Sequence, residues 1–224
     1  FETMVQKYLE KKGIEVIVIQ IDMFSTLEVM NTVASIINQE KKNGAIIKVN
    51  MSACGRITTF ATTLAAMAND VPLYYVRADR YAEKEEDVTD HGLSICEQNR
   101  VWELERLPVN LPQNTKMSVI IMLAQHPDGL YTWEIVDNLV LMNEPGYSES
   151  FRSKKTDEMR KIQRRYHTKL NKSTLSPLEE AGYITQEKCG RYHRATITQS
   201  GLFLAAAHGY LPKQPLKNGV MSEQ

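Results

Sequence analysis

The 224-residue sequence predicts an α/β layered domain with a parallel sheet, followed by an α+β unit of helices closed by a basic hairpin. Three observations carry that reading. As far as Leu107, β-branched runs alternate with helix-period segments, as parallel strands joined by crossovers require. Leu107-Pro108-Val109-Asn110-Leu111-Pro112 then sets two prolines in an extended stretch, which ends regular structure. Charge changes sign across it. Residues 1–111 hold 12 Lys and Arg against 16 Asp and Glu, and residues 112–224 hold 15 against 11. The expected organisation is a first domain over 1–107, a linker over 108–113, a second domain over 114–210 and a flexible tail over 211–224.

In the first domain, Thr3 to Lys12 reads as a helix closed by Gly13, and Ile14 to Ile19 as a strand. Ser25 or Thr26 caps a helix with Val29, Val33, Ile36 and Ile37 on one face, stopped by Asn43-Gly44. Ala45 to Asn50 is a second strand, Thr58 to Ala68 a small-residue helix, and Val71 to Val76 a third strand. Val101 to Leu107 is an edge strand. This alternation is Rossmann-like.

In the second domain, Asn114 caps a helix over Lys116–Gln125, and Thr132 caps another to Leu141. A long loop reaches Ser153, and a basic helix follows from Thr156. Pro177 interrupts that helix, so its first part is expected to end near Thr174. Gly182 terminates the second part. Tyr183–Gln186 and Tyr192–Ile197 form a hairpin, and Leu202–Ala207 a last helix.

Composition excludes several classes. No apolar run reaches the roughly 20 residues of a membrane span, and no secretory signal is visible. Cys54, Cys96 and Cys189 are odd in number and lack CxxC spacing, which predicts reduced thiols in a cytoplasm and no structural zinc. No dinucleotide glycine motif, Walker motif or Ser/His/Asp arrangement is present, so no cofactor is expected. The chain opens on Phe1 and not on Met, which predicts a fragment or a trimmed N-terminus.

Within 152–194, 12 basic residues face 5 acidic ones, a surplus suited to a polyanion. Helix, turn, helix, basic helix, Leu178-x-x-x-Gly182-Tyr183-Ile184, hairpin and Ile197-Thr198-x-x-Gly201 is an order that resembles winged helix-turn-helix regulators. The resemblance implies that Arg164, Arg165, Thr168, Lys169, Asn171 and Lys172 meet double-stranded DNA from the helix, and that Lys188, Arg191, His193 and Arg194 meet it from the wing. Winged helices also serve as protein-interaction modules, which is one alternative. Another is a nucleotide-activated ribonuclease: Arg160 and His167, with six residues between them, resemble the Arg-x(4–6)-His motif of HEPN-type enzymes, although the hairpin argues against their helical bundle. An enzyme is not expected.

In the first domain, Asn50, Ser52, Ala53, Cys54, Gly55 and Arg56 form a strand-to-helix loop of the kind that admits phosphate at a helix N-terminus. An ordinary tight turn is the alternative. With Thr62-Thr63-Leu64-Ala65-Ala66-Met67-Ala68 behind it and a winged helix after it, this loop resembles that of archaeal CARF-domain winged-helix regulators, the CRISPR-associated transcription-factor family. The resemblance implies a CARF-like Rossmann domain, a homodimer and a cyclic oligoadenylate effector. Of the family's paired loop glycines only Gly55 is present.

Overall fold

The structure is a computed structural model, and it describes residues 2–84, 86, 88, 92–98, 100–105, 111–147, 156–190 and 192–211. The first half begins with α1 (Glu2–Lys11) and α2 (Thr26–Lys42). Ser25 caps α2, its hydroxyl accepting the Glu28 N–H at 3.3 Å. Then come β1 (Val49–Asn50), α3 (Arg56–Ala68), β2 (Leu73–Val76), β3 (Arg80–Tyr81), β4 (Ser94–Ile95) and β5 (Val101–Glu103). β1 and β2 pair in parallel, β5 adds an antiparallel edge to β2, and β3 with β4 forms a separate ribbon. Ile37 of α2 and Ala66 of α3 pack with Val71 and Leu73, so the two helices cover the sheet through one small core.

This sheet is smaller than the sequence predicts. Ile14–Ile19 joins no ladder among the described residues, and the second strand shortens to Val49–Asn50. β-branched composition favours extended backbone, but a strand also needs a neighbour to take its N–H and C=O groups. Only Ile21 of this region packs into a core, while Ile17 is 77% exposed. Among the described residues the sheet is therefore mixed, with one parallel pair.

The second half contains α4 (Thr115–Gln125), β6 (Leu130–Tyr131), α5 (Thr132–Leu141), α6 (Thr156–Leu170), a π-helical turn (Asn171–Leu175), α7 (Ser176–Glu180), β7 (Ile184–Cys189), β8 (Tyr192–Ile197) and α8 (Gln199–Ala207). The sheet order is β6-β8-β7, antiparallel throughout. Pro177 explains the π turn. It has no N–H to donate and its ring crowds the preceding turn, so the helix widens ahead of it and the Ser176 N–H reaches back to Asn171. The backbone stays helical through Thr174, where the sequence predicts an end. One core joins Ile120 and Leu123 of α4, Ile135 and Leu139 of α5, Tyr166 and Leu170 of α6, and Leu178, Ile184, Ala195 and Leu204. Gly201 lies so close under Tyr183 that an added Cβ would be 2.3 Å from its carbonyl oxygen, so the Thr-x-x-Gly sequence lets α8 dock on the hairpin.

The two halves share α8. Its Ala206 and Ala207 are buried with Val29, Met30, Ala34, Ala61 and Ala65. The carbonyls that its C-terminus leaves unpaired are met by the other half. Asn69 donates to Ala207 O at 2.8 Å, Asn38 to His208 O at 2.6 Å and Ser35 to Gly209 O at 3.1 Å. Asn31 accepts the Leu211 N–H at 2.9 Å, so Leu211, where the tail is expected to begin, is held in the fold. Asn31, Ser35 and Asn38 recur at four and three residues, which puts them on one face of α2.

Candidate nucleic-acid interface

α6 divides into two faces. Ile162, Tyr166 and Leu170, four residues apart, are buried, and Met159 packs beside them. On the other side Arg160, Arg164, Thr168 and Lys172 follow one another at four-residue spacing. Lys161, Arg165, Lys169 and Ser173 run alongside. These eight side chains line an open trough of about 610 Å³ with no carboxylate among them. Asp157 and Glu158 sit in the first turn and basic residues in the last, the arrangement that the helix dipole favours.

The cations of this row differ in their surroundings. Arg160, Lys161, Arg164 and Lys172 are exposed. Arg165 lies over the Tyr166 ring at 5.4 Å. Lys169 donates to Pro145 O at 3.3 Å and stands 4.7 Å from the Tyr147 ring centre, tying α6 to the loop after α5. The Tyr147 hydroxyl is buried without a hydrogen-bond partner among the described residues, and burial, with Glu144 and Tyr166 adding, pushes its pKa up to about 12. Thr168 donates to Arg164 O at 2.9 Å, and Asn171 is exposed on the π turn.

In the hairpin, Lys188 pairs across the strands with His193, both exposed. Arg194 points to the opposite face. Its guanidinium covers the Tyr131 ring at 4.8 Å and donates to the Tyr131 hydroxyl at 3.1 Å. Arg191 lies outside the described residues. The structure thus gathers Arg164, Arg165, Thr168, Lys169 and Lys172 in one trough, leaves Asn171 beside it, and splits the wing residues between two sheet faces. Lys161 and Ser173 are absent from the set predicted from sequence, and Arg160 entered it only as a ribonuclease candidate. The two four-residue rows, one from Arg160 to Lys172 and one from Lys161 to Ser173, were the signal for them. His167 is half-buried; burial lowers its pKa, and Asp137 of α5 partly offsets that. Two helical turns, about 10 Å of rise, separate it from Arg160.

The loop of the first domain is closed on itself. Asn50 Oδ1 accepts from the Ser52 N–H at 2.9 Å and from its hydroxyl at 2.5 Å, and Ser52 Oγ accepts the Val76 N–H at 2.7 Å. Burial pushes the Cys54 thiol pKa up. Ala53, Gly55 and Arg56 are exposed, and Gly55 begins α3 without a side-chain cap. Among the described residues no His, Cys, Asp and Glu group could hold a metal ion, and no helix is long and apolar enough to cross a membrane.

Two family models match separate stretches of the chain. Residues 1–81 match the N-terminal domain model HFX_2341_N, and residues 115–209 match the model described as the DUF6293 C-terminal winged helix domain. No curated protein matches the chain. The second half of the chain carries a winged helix domain, joined to a first half similar to the HFX_2341_N domain.

Proposed function

We propose that this chain is a DNA-binding transcriptional regulator. One observation carries the reading: a winged helix frame displays a trough of six lysines and arginines, free of carboxylates, on one face of α6. A helix fits the major groove, and such a row meets phosphates and base edges along it. No catalytic role is assigned to Arg160 or His167.

The first domain is proposed to pair two copies of the chain and to answer a phosphate-bearing ligand, with a cyclic oligoadenylate as the candidate. Pairing is supported by the exposed side chains of Ile14, Ile17, Val18, Ile19 and Ile46, an apolar set out of place on a monomer surface. Ligand binding is supported by the start of α3 at Gly55, which has no side-chain cap, and by exposed Arg56, at the far end of the loop that follows parallel strand β1. The route to DNA is short. α3 runs about 20 Å from Gly55 to Asn69, and Asn69 holds the C-terminal end of α8.

The test is binding of duplex DNA from near the chain's own promoter, followed by fluorescence anisotropy. Saturable binding that resists excess unrelated duplex is expected, and RNA is expected to remain intact. Arg56→Ala is expected to abolish calorimetric heat with the cyclic oligonucleotide while leaving the fold unchanged. Cleavage of single-stranded RNA that disappears in His167→Ala would overturn the reading.

A further inference from the structure

We infer that the outer face of the wing sheet is a nucleobase-stacking platform, selecting nucleic acid with unpaired bases next to the duplex. This rests on the DNA-binding reading above but uses different residues. Leu130 and Ala195 point into the core, so their neighbours Tyr131 and Arg194, paired across β6 and β8, point outward. Tyr192 lies two residues from Arg194 and shares that face.

Three rings meet there. Trp133, from the first turn of α5, stacks on Tyr131 at 6.4 Å between ring centres and 11° between planes. Tyr192 stands edge-on to Tyr131 at 6.2 Å and 67°. Trp133 is 43% exposed and Tyr192 54%. The cation beneath them is already committed: Arg194 clamps Tyr131 through its ring face and its hydroxyl. Tyr131 is therefore held in place, with Trp133 and Tyr192 presented around it.

The chemistry of the surroundings names the occupant. Exposed Lys188 and His193 occupy the other side of the same hairpin, and the basic trough of α6 lies in the same domain. Two carboxylates border this face: Glu187, across from Arg194, accepts from the Cys189 thiol at 3.5 Å, and Glu134 accepts the Tyr131 N–H at 2.7 Å. Flat aromatic faces on a hairpin that also carries exposed cations on its other side suit a ligand with flat rings on an anionic backbone, which is a nucleotide chain passing along that hairpin. A base within a duplex already has both faces stacked. An unpaired base, at an overhang, a bulge or a melted end, has a free face and the reach to lie on the platform.

The chain has two tryptophans, Trp102 and Trp133, so Trp102→Phe makes Trp133 a single reporter. This variant is titrated with a blunt DNA duplex and with the same duplex carrying a short unpaired overhang, in DNA and in RNA. The overhang is expected to quench Trp133 emission and to tighten binding by about tenfold, the scale of one base–aromatic stack. Tyr192→Ala and Trp133→Ala are expected to reduce overhang affinity to that of the blunt duplex, without shifting the thermal melt, while Trp133→Phe retains most of the preference. Quenching by an RNA overhang as strong as by DNA supports the platform and widens its ligand to either sugar. Equal affinities with unchanged Trp133 emission would overturn the inference and leave duplex binding standing. No binding of either duplex would overturn both.

Discussion

Every helix and strand of the winged helix domain feeds one core, which runs without a break from Val119 on α4 to Ala205 on α8. The first domain instead divides its apolar residues between two small clusters, and one of them is completed by Ala206 and Ala207 of the other domain's last helix. It also leaves Ile17 and Ile46 facing solvent, at 77% and 96% exposure. The contrast teaches that the two halves are unequal as folding units. One buries its own apolar surface, and the other depends on what it docks against.

Separating the halves tests this most severely. Residues 111–211 alone are expected to melt cooperatively, and residues 1–107 alone to show no cooperative melt by circular dichroism. A sharp transition for 1–107 would contradict the comparison. Next in size, Leu139→Ala empties a fully buried site in the continuous core and is expected to cost about 2–5 kcal/mol by chemical denaturation.

The seam is expected to respond more modestly. Gly209 has a φ of +73°, and a Cβ there would lie 2.6 Å from the Ser35 backbone nitrogen. Gly209→Ala therefore adds left-handed strain of about 1–2 kcal/mol, together with a contact that has to give. Hydrogen exchange should rise in both α2 and α8. A rise confined to α8 would show that the seam does not join the halves.

The smallest effect concerns pH. His208 lies in the seam with Nε2 buried and unpartnered among the described residues, and burial lowers its pKa. Between its folded value and the unfolded value near 6.5, the unfolded chain binds more protons. The stability it contributes is thus present above that window and lost as pH falls through it. His167 shifts in the same direction, so His208→Asn is expected to flatten part of the acid loss in melting temperature rather than all of it.

How much of this was legible in the sequence follows the same division. Self-contained elements were readable because their signals are local: Ser25 before α2, Gly182 after α7, and the basic stripe on α6. Pro177 marked a disturbed helix, but the backbone absorbed it by a π turn whose Thr174 and Leu175 are buried, so the helix widens there instead of ending. Ile14–Ile19 was misread because strand formation depends on a neighbour, which composition does not report. The polar row Asn31, Ser35 and Asn38 resembles a solvated helix face until α8 is placed on it. Tyr131, Trp133 and Tyr192 were missed because they come from three elements and meet only when the sheet forms.

The central claim is that the α6 trough meets the phosphates of duplex DNA, and its most direct measurement is the salt dependence of that binding. For the full chain, log affinity is expected to fall steeply and linearly with log salt, by about 0.9 for each phosphate neutralised. Arg160→Ala and Lys172→Ala, both exposed on the trough, should each reduce the slope by about one and weaken binding to all sequences alike. A slope that is flat, or unchanged in both variants, would contradict the account.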